Sequence, residues 1–390
     1  MFTYSIKDRQ IDVVGALGFQ EDSPGWLTPR RLPDWTMKQF ADDAIDRFVK
    51  FPSGIRLRFT TSADLITLTV RVSRLVITGI AENLRPAAFD LVVNGVENQS
   101  QEAHNGNILR LTSTAPSVFS ETLEAGESDT LTFSGLGNES KNIEIWFPTS
   151  AIVEVNEVAA SSEITASPVD SRKRWLHYGS SISQSGEALR PLDAWVMRAA
   201  QLLDLNVTNF GLAGQCQLDG FVARTMAALP ADLISLKLGI NLVNADSMRE
   251  RAFIPSVHNF LDILRANHPT TPILIISPIW CPFHENTPGP TMIEGSQLFG
   301  KERPAELATG ALTLTRVRKI LEDVISKRSD SNLYYMNGLT LFNESDEGDL
   351  PDKLHPNSAG YRLMGERFAN LQKSFIDKIP QAISQKRGQQ

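Results

Sequence analysis

The stretch Arg174-Trp-Leu-His-Tyr-Gly-Ser-Ser-Ile182 divides the chain into two kinds of sequence. Its first half is a short apolar strand, Arg174–Tyr178, and its second half is a small-residue turn, Gly179–Ile182. Downstream the pattern repeats. Asn206–Phe210, Asp232–Leu238, Pro272–Ser277 and Asn332–Met336 read as strands. Helical spacing fills Asp193–Leu203, Leu218–Leu229, Phe253–Asn267, Leu307–Ser326 and Ser358–Phe375. Apolar strands alternating with helices predict a parallel sheet covered on both faces. The carboxyl ends of such strands are where a site is expected.

Upstream the period changes to two. Ile55-Arg-Leu-Arg-Phe59, Leu65-Ile-Thr-Leu-Thr-Val-Arg-Val72 and Ile143-Glu-Ile-Trp-Phe147 read as strands with one buried face. Phe89–Val93, Ile108–Thr112, Asp129–Phe133 and Ala151–Val158 are further strands, and Asn94-Gly95 is the pair that favours a tight hairpin. Lys38–Val49 is the one helical stretch there. Short strands with turn signals predict a β-sandwich over residues 1–165. The small, polar segment Ala159–Ser171 reads as a linker, and Arg172-Lys173-Arg174 as its solvated end. An α/β unit over 172–385 follows.

The 390 residues suit two domains, and the formal net charge of −7 without a basic cluster argues against a nucleic-acid partner. The two cysteines, Cys216 and Cys281, have no C-x-x-C spacing, so a zinc site is not expected. No stretch approaches the ~18 apolar residues of a membrane span. The first residues lack the basic start, apolar run and cleavage site of a secretory leader, which makes a cytoplasmic enzyme the default expectation.

Four short motifs can carry chemistry. Gly179-Ser180-Ser181-Ile182 frees a serine hydroxyl at a strand end, although such a turn is more often plain loop. Asn209-Phe-Gly-Leu-Ala-Gly214 lets the backbone approach a ligand. Leu238-Gly-Ile-Asn241 puts a side-chain amide where it could donate to an oxyanion, or make a local turn bond. Asp352-Lys-Leu-His355-Pro356 spaces a carboxylate to orient an imidazole. Of the six histidines, His355 alone has that carboxylate spacing and a proline behind it. Each motif alone is ordinary, but the four in this order, on successive units of one sheet, are not.

The order G-x-S-I, N-x-G-x-x-G, G-x-N and D-x-x-H-P resembles the SGNH or GDSL hydrolase family over roughly residues 172–375. The resemblance implies a three-layer, flavodoxin-like α/β fold. It implies Ser181 as nucleophile, His355 as base and Asp352 as its orienting acid. The N–H groups of Ser181 and Gly214 and the amide of Asn241 would form the oxyanion hole. Ser180 and Leu242 depart from the family, which usually has Asp at both places. With a jelly-roll-like sandwich in front, the chain resembles the bacterial two-domain members, among them polyketide-tailoring aryl acyltransferases.

The expected function is hydrolysis of a carboxylic ester through an acyl-serine. Its rival is acyl transfer from a small-molecule donor to an acceptor hydroxyl. A third reading makes the sandwich a carbohydrate-binding or adhesion module beside an inert partner. No metal or organic cofactor is implied. Around the pocket, the proline-stiffened loop Ser277–Pro290 offers Trp280, Cys281, His284 and Glu285, and Trp26 with Trp35 could reach over from the sandwich. Cys281 is also the rival nucleophile, without an adjoining His-and-acid signature.

Overall fold

The structure, a computed structural model, describes residues 1–78, 84–115, 118–294 and 297–379. The end of the expected α/β unit, 380–385, lies outside the described residues. Among the described residues the first part of the chain forms sheets of eight and six strands. Leu65–Ile77 alternates between the core and the outer face, as its sequence does. Ile66, Leu68, Val70 and Val72 face inward and pack with Ile55, Leu57, Phe59, Ile143 and Ile145 of the other sheet. The hairpin Ala87–Val93 to Val96–Ala103 turns at Asn94 and Gly95, whose φ of 51° and 82° match the tight turn read from the Asn-Gly pair.

The second part is a five-stranded sheet with every neighbouring pair parallel. Its order is Leu205–Gly211, Lys173–Gly179, Leu233–Lys237, Ile273–Ile276, Leu333–Met336. That is the 2-1-3-4-5 order of doubly wound sheets. The helices Trp195–Leu202, Gly220–Ala228, Glu250–Asn267 and Leu314–Lys327 intervene, and Ser358–Asp377 follows the last strand.

Three expectations need correction. The segment read as a linker is partly strand: Ala159 and Ala160 finish Ala151–Ala160, and Ile164–Thr165 pairs with Thr60 and Thr61. Ile164 is fully buried, and its N–H donates to the Tyr4 hydroxyl at 2.9 Å, so this backbone is tied into the sandwich. The helix expected from Leu307 starts at Leu314, because Gly310 takes a φ of 70° and the Thr313 hydroxyl caps Arg316 N–H. Lys38–Val49 holds an α-helix only from Asp43, capped by Asp42, while Lys38 and Gln39 end a separate 3-10 turn, Asp34–Gln39.

The larger departure concerns the six-stranded sheet. The alternation of Ile55–Phe59 puts Arg56 on a solvated face, but it is fully buried. Its guanidinium donates to Val207 O at 3.1 Å and Asn206 Oδ1 at 2.5 Å, and lies 4.4 Å from the Trp146 ring centre. Arg31 likewise donates to Asn209 O and Gly211 O, at the end of a parallel strand. Leu32, Ile45, Val49, Val92 and Trp146 of the first part belong to the same buried cluster as the parallel sheet. The sandwich therefore packs on the parallel sheet through an interior of its own.

Candidate active site

The first parallel strand ends at Gly179, where a Cβ would come within 2.2 Å of Ser183 Oγ. Only a glycine permits that turn. Ser180 follows with extended backbone, and its hydroxyl accepts from Ile182 N–H at 3.3 Å, starting the short helix Ser181–Gln184. Ser180 thus does at this cap what an aspartate could do, without placing a charge in a fully buried position. Ser181 is the first residue of the helix, so its N–H has no intrahelical acceptor.

His355 reaches Ser181 from the other end of the chain. The two serine–histidine atoms, Ser181 Oγ and His355 Nε2, are 2.9 Å apart. On the far side of the ring, His355 Nδ1 is 2.6 Å from Asp352 Oδ2. Asp352 Oδ1 accepts from the N–H groups of Leu354 at 2.9 Å and His355 at 2.7 Å. One carboxylate therefore holds both the backbone of the turn and the ring it carries. Burial pushes Asp352 up, but these bonds and the imidazole outweigh it and hold it below the usual carboxylate range. Burial also pulls His355 down, yet the nearby Glu187 and Asp352 carboxylates prevail and raise it to about 9. Asn357 then caps the last helix through Gly360 N–H at 2.9 Å.

The second and third motifs are stitched to this centre. Leu212 N–H donates to Gly179 O at 2.9 Å, and Ala213 N–H to Gln184 Oε1 at 3.2 Å. Gly214, with a φ of 71°, presents an N–H that meets no acceptor among the described residues. Asn241 Oδ1 accepts from Cys216 N–H at 3.0 Å, which orients the amide and leaves Nδ2 as its donating end. Gly239 makes this possible: its φ is 118°, and a Cβ there would strike Val317 at 2.4 Å. Leu242, at the second departure from the family pattern, is buried in the core.

The remaining expected pocket residues each have partners within the protein. Cys281 is buried, pushed up to about 12 mainly by that burial, and its Sγ meets Lys353 O at 3.4 Å. His284 bonds Thr287 O at 2.9 Å and Thr291 Oγ1 at 2.7 Å. Glu285 pairs with Arg318 through contacts of 2.6 and 2.7 Å. Trp280 Nε1 donates to Glu347 Oε2 at 3.3 Å. Trp26 lies on the eight-stranded sheet with its ring 4.5 Å from the Arg71 guanidinium. The stretch that follows it does cross to the second part, through Arg31 and through Trp35, whose ring centre lies 5.5 Å from the Arg224 guanidinium.

Sequence reasoning missed two residues. Asn209 reads as part of a glycine turn. Its amide donates to Ser53 Oγ and Ser183 O, both at 2.9 Å, joining the sandwich to the helix Ser181–Gln184. Glu187 sits 3.9 Å from His355 Nδ1. No local pattern marks it, because its partners come from two distant parts of the chain, Arg85 on one side and His355 with Tyr361 on the other. Among the described residues, no three or more His, Cys, Asp or Glu group so as to hold a metal ion.

Residues 172–287 match the model of the GDSL-like lipase/acylhydrolase family. The chain carries a GDSL-like lipase/acylhydrolase domain. Ser181, Gly214 and Asn241 fall inside the matched GDSL-like segment; Asp352 and His355 follow it. No curated protein sequence matches the chain. Among solved structures it is similar to the salicylyl-acyltransferase SsfX3 from a tetracycline biosynthetic pathway. That pair shares 24% identity over 97% of this chain and 98% of the other, with a TM-score of 0.78. A protein from Bacteroides ovatus assigned as a GDSL-like lipase is similar at 19% identity, 95% and 97% coverage and TM-score 0.63. A family two carbohydrate esterase from Clostridium thermocellum is similar at 13%, 94% and 99%, and 0.58. At these identities the likeness is one of fold, and it takes in the sandwich as well as the GDSL-like domain. Among the described residues, no helix is long and apolar enough to cross a membrane.

Proposed function

We propose that this chain is a serine esterase of the SGNH type. The observation that carries the reading is the unbroken chain of contacts from Ser181 Oγ through the His355 ring to Asp352, at 2.9 and 2.6 Å. In this mechanism His355 takes the Ser181 proton as the hydroxyl oxygen attacks the ester carbonyl. Negative charge collects on the carbonyl oxygen. The N–H groups of Ser181 and Gly214 and the Asn241 amide are the proposed donors to it, since each has no protein acceptor competing for its proton among the described residues. His355 returns the proton to the departing alcohol, and an acyl-serine remains. Water, deprotonated by His355, then attacks it.

A second reading replaces water by the hydroxyl of a small-molecule acceptor. It is supported by the likeness of fold to the salicylyl-acyltransferase, which extends over 97% of this chain at a TM-score of 0.78. Both readings use the same residues.

A fluorophosphonate probe tests the shared chemistry. It should label the chain once, at Ser181, as read by peptide mass spectrometry. An unlabelled chain would favour the sandwich as a binding module beside an inert partner. A panel of p-nitrophenyl esters with and without added alcohols then separates hydrolysis from transfer by the products formed.

A further inference from the structure

His355 has two carboxylates on its Nδ1 side. Asp352 takes the hydrogen bond at 2.6 Å, and Glu187 Oε1 lies at 3.9 Å from the same nitrogen. At that distance Glu187 acts by charge and not as a second hydrogen-bond acceptor. The carboxylate is held in place. Its Oε2 accepts from the Tyr361 hydroxyl at 2.7 Å, and Tyr361 is fully buried in the last helix. Its backbone is held from the sandwich. The Arg85 guanidinium donates to Glu187 O at 2.8 Å and Ala188 O at 2.9 Å, and also to Gly186 O. Thr149 Oγ1 secures the preceding turn at Ser185 O, 2.7 Å away.

The geometry points to Glu187 as a positioning residue for His355, held by Tyr361 and Arg85, whose charge stabilises the imidazolium formed when the Ser181 proton moves. The proposal rests on the reading of Ser181 and His355 as nucleophile and base. It also gives the sandwich a part in the reaction: Arg85 supports the segment that faces the imidazole. The charged and titratable groups around the ring are few. Asp352 comes from its own turn and Glu187 from the segment after the nucleophile. Tyr361 and Arg85 stand behind Glu187, and the Cys281 thiol lies behind Asp352. The two carboxylates are thus the groups that lift His355 to about 9 against its burial.

The sign of the effect is fixed by the role. Only neutral His355 can take the serine proton, so kcat/KM rises with pH through the imidazole's titration. Removing one carboxylate lowers that titration point. In E187Q the His355 ring, followed by NMR in the full-length chain, should titrate about one pH unit lower. The acid limb of kcat/KM for p-nitrophenyl acetate should move down with it, while the plateau kcat falls several-fold because the base is weaker. Y361F should shift the same limb in the same direction by less, and the double variant should go no lower than E187Q alone. An unshifted titration in folded E187Q overturns the proposal. Should E187Q not fold, an unshifted titration in Y361F does so instead. A wild-type chain that fluorophosphonate leaves unlabelled removes the serine-hydrolase reading and this proposal with it. A labelled chain with an unmoved acid limb in E187Q removes the proposal alone.

Discussion

Two segments leave the carboxyl edge of the same parallel sheet carrying similar side chains. The turn after Lys173–Gly179 offers Ser181, which meets His355 and Asp352. The loop after Ile273–Ile276 offers Cys281, with His284 and Glu285 close in sequence. The second carries the intrinsically stronger nucleophile, a thiol, although without the carboxylate-to-histidine spacing of Asp352 and His355. The structure reverses that ranking. Both nitrogens of His284 already have partners, Glu285 is held in a buried pair with Arg318, and the Cys281 thiol faces a backbone carbonyl. Burial moves His284 down and Cys281 up to about 12, so neither its base nor its thiolate is supported. At the other turn, His355 bridges a hydroxyl and a carboxylate. What separates the proposed reaction centre from the loop is a proton path that is not already committed to structural partners.

The comparison breaks most sharply at the nucleophile. S181A should lower kcat for a p-nitrophenyl ester by about 10⁴-fold or more and abolish fluorophosphonate labelling. Circular dichroism should be unchanged, because the hydroxyl is not part of the core. Retained labelling in S181A would move the chemistry to another residue, with Cys281 the first to examine.

N241A comes next. Loss of one oxyanion donor typically costs about 10²–10³-fold in kcat. KM should change little, since a donor in the proposed role acts on charge that appears in the transition state. A loss confined to KM would make Asn241 a substrate-binding residue instead. Part of any loss could arise from freeing Cys216 N–H, so N241D, which keeps an acceptor for that N–H and removes the donor, should lose kcat as severely.

These contrasts were only partly legible in the sequence. The alternation in Leu65–Ile77, the Asn94-Gly95 turn and the strand–helix repeat after residue 172 are local patterns, and local geometry follows from them. The four motifs are also local, each within a few residues. Arg31 lies in the Trp26–Trp35 stretch already read as reaching over from the sandwich, but Arg56 and Arg85 were not legible as interface residues. A guanidinium on the polar side of a strand looks solvated until another part of the chain supplies carbonyls to it. Glu187 was hidden for the same reason: its importance lies in Tyr361 and His355, over 160 residues away. The Ser277–Pro290 loop was read as a pocket wall, and the sequence could not show that Trp280, Cys281, His284 and Glu285 already have hydrogen-bond or ion-pair partners within the protein.

The buried pair in that loop sharpens the comparison through stability. Arg318 also donates to Pro278 O at 3.0 Å and Ile279 O at 3.1 Å, so it ties the loop's start to the helix Leu314–Lys327. Removing one member of a buried pair costs about 3–5 kcal/mol because the other charge remains. E285Q keeps the shape and should therefore lower the thermal midpoint markedly while leaving kcat per folded molecule within a few-fold of wild type. A large fall in kcat at unchanged stability would return Glu285 to the substrate pocket.

The smallest effect is expected from C281A, and it is the most direct test of the difference between the two segments. Its sulfur contacts Lys353 O, in the turn between Asp352 and His355, so the substitution touches the support of the triad without touching its proton path. A lost weak S–H contact and a small void together should cost about 1 kcal/mol. Turnover and fluorophosphonate labelling should stay near wild type. In the native chain iodoacetamide at pH 8 should modify Cys281 slowly, since a buried thiol pushed up to about 12 is almost wholly protonated there. Unfolding in denaturant should release it to ordinary reactivity. Rapid native alkylation that also stopped turnover would mean that the loop opens onto the substrate, and the line drawn between the two segments would have to move.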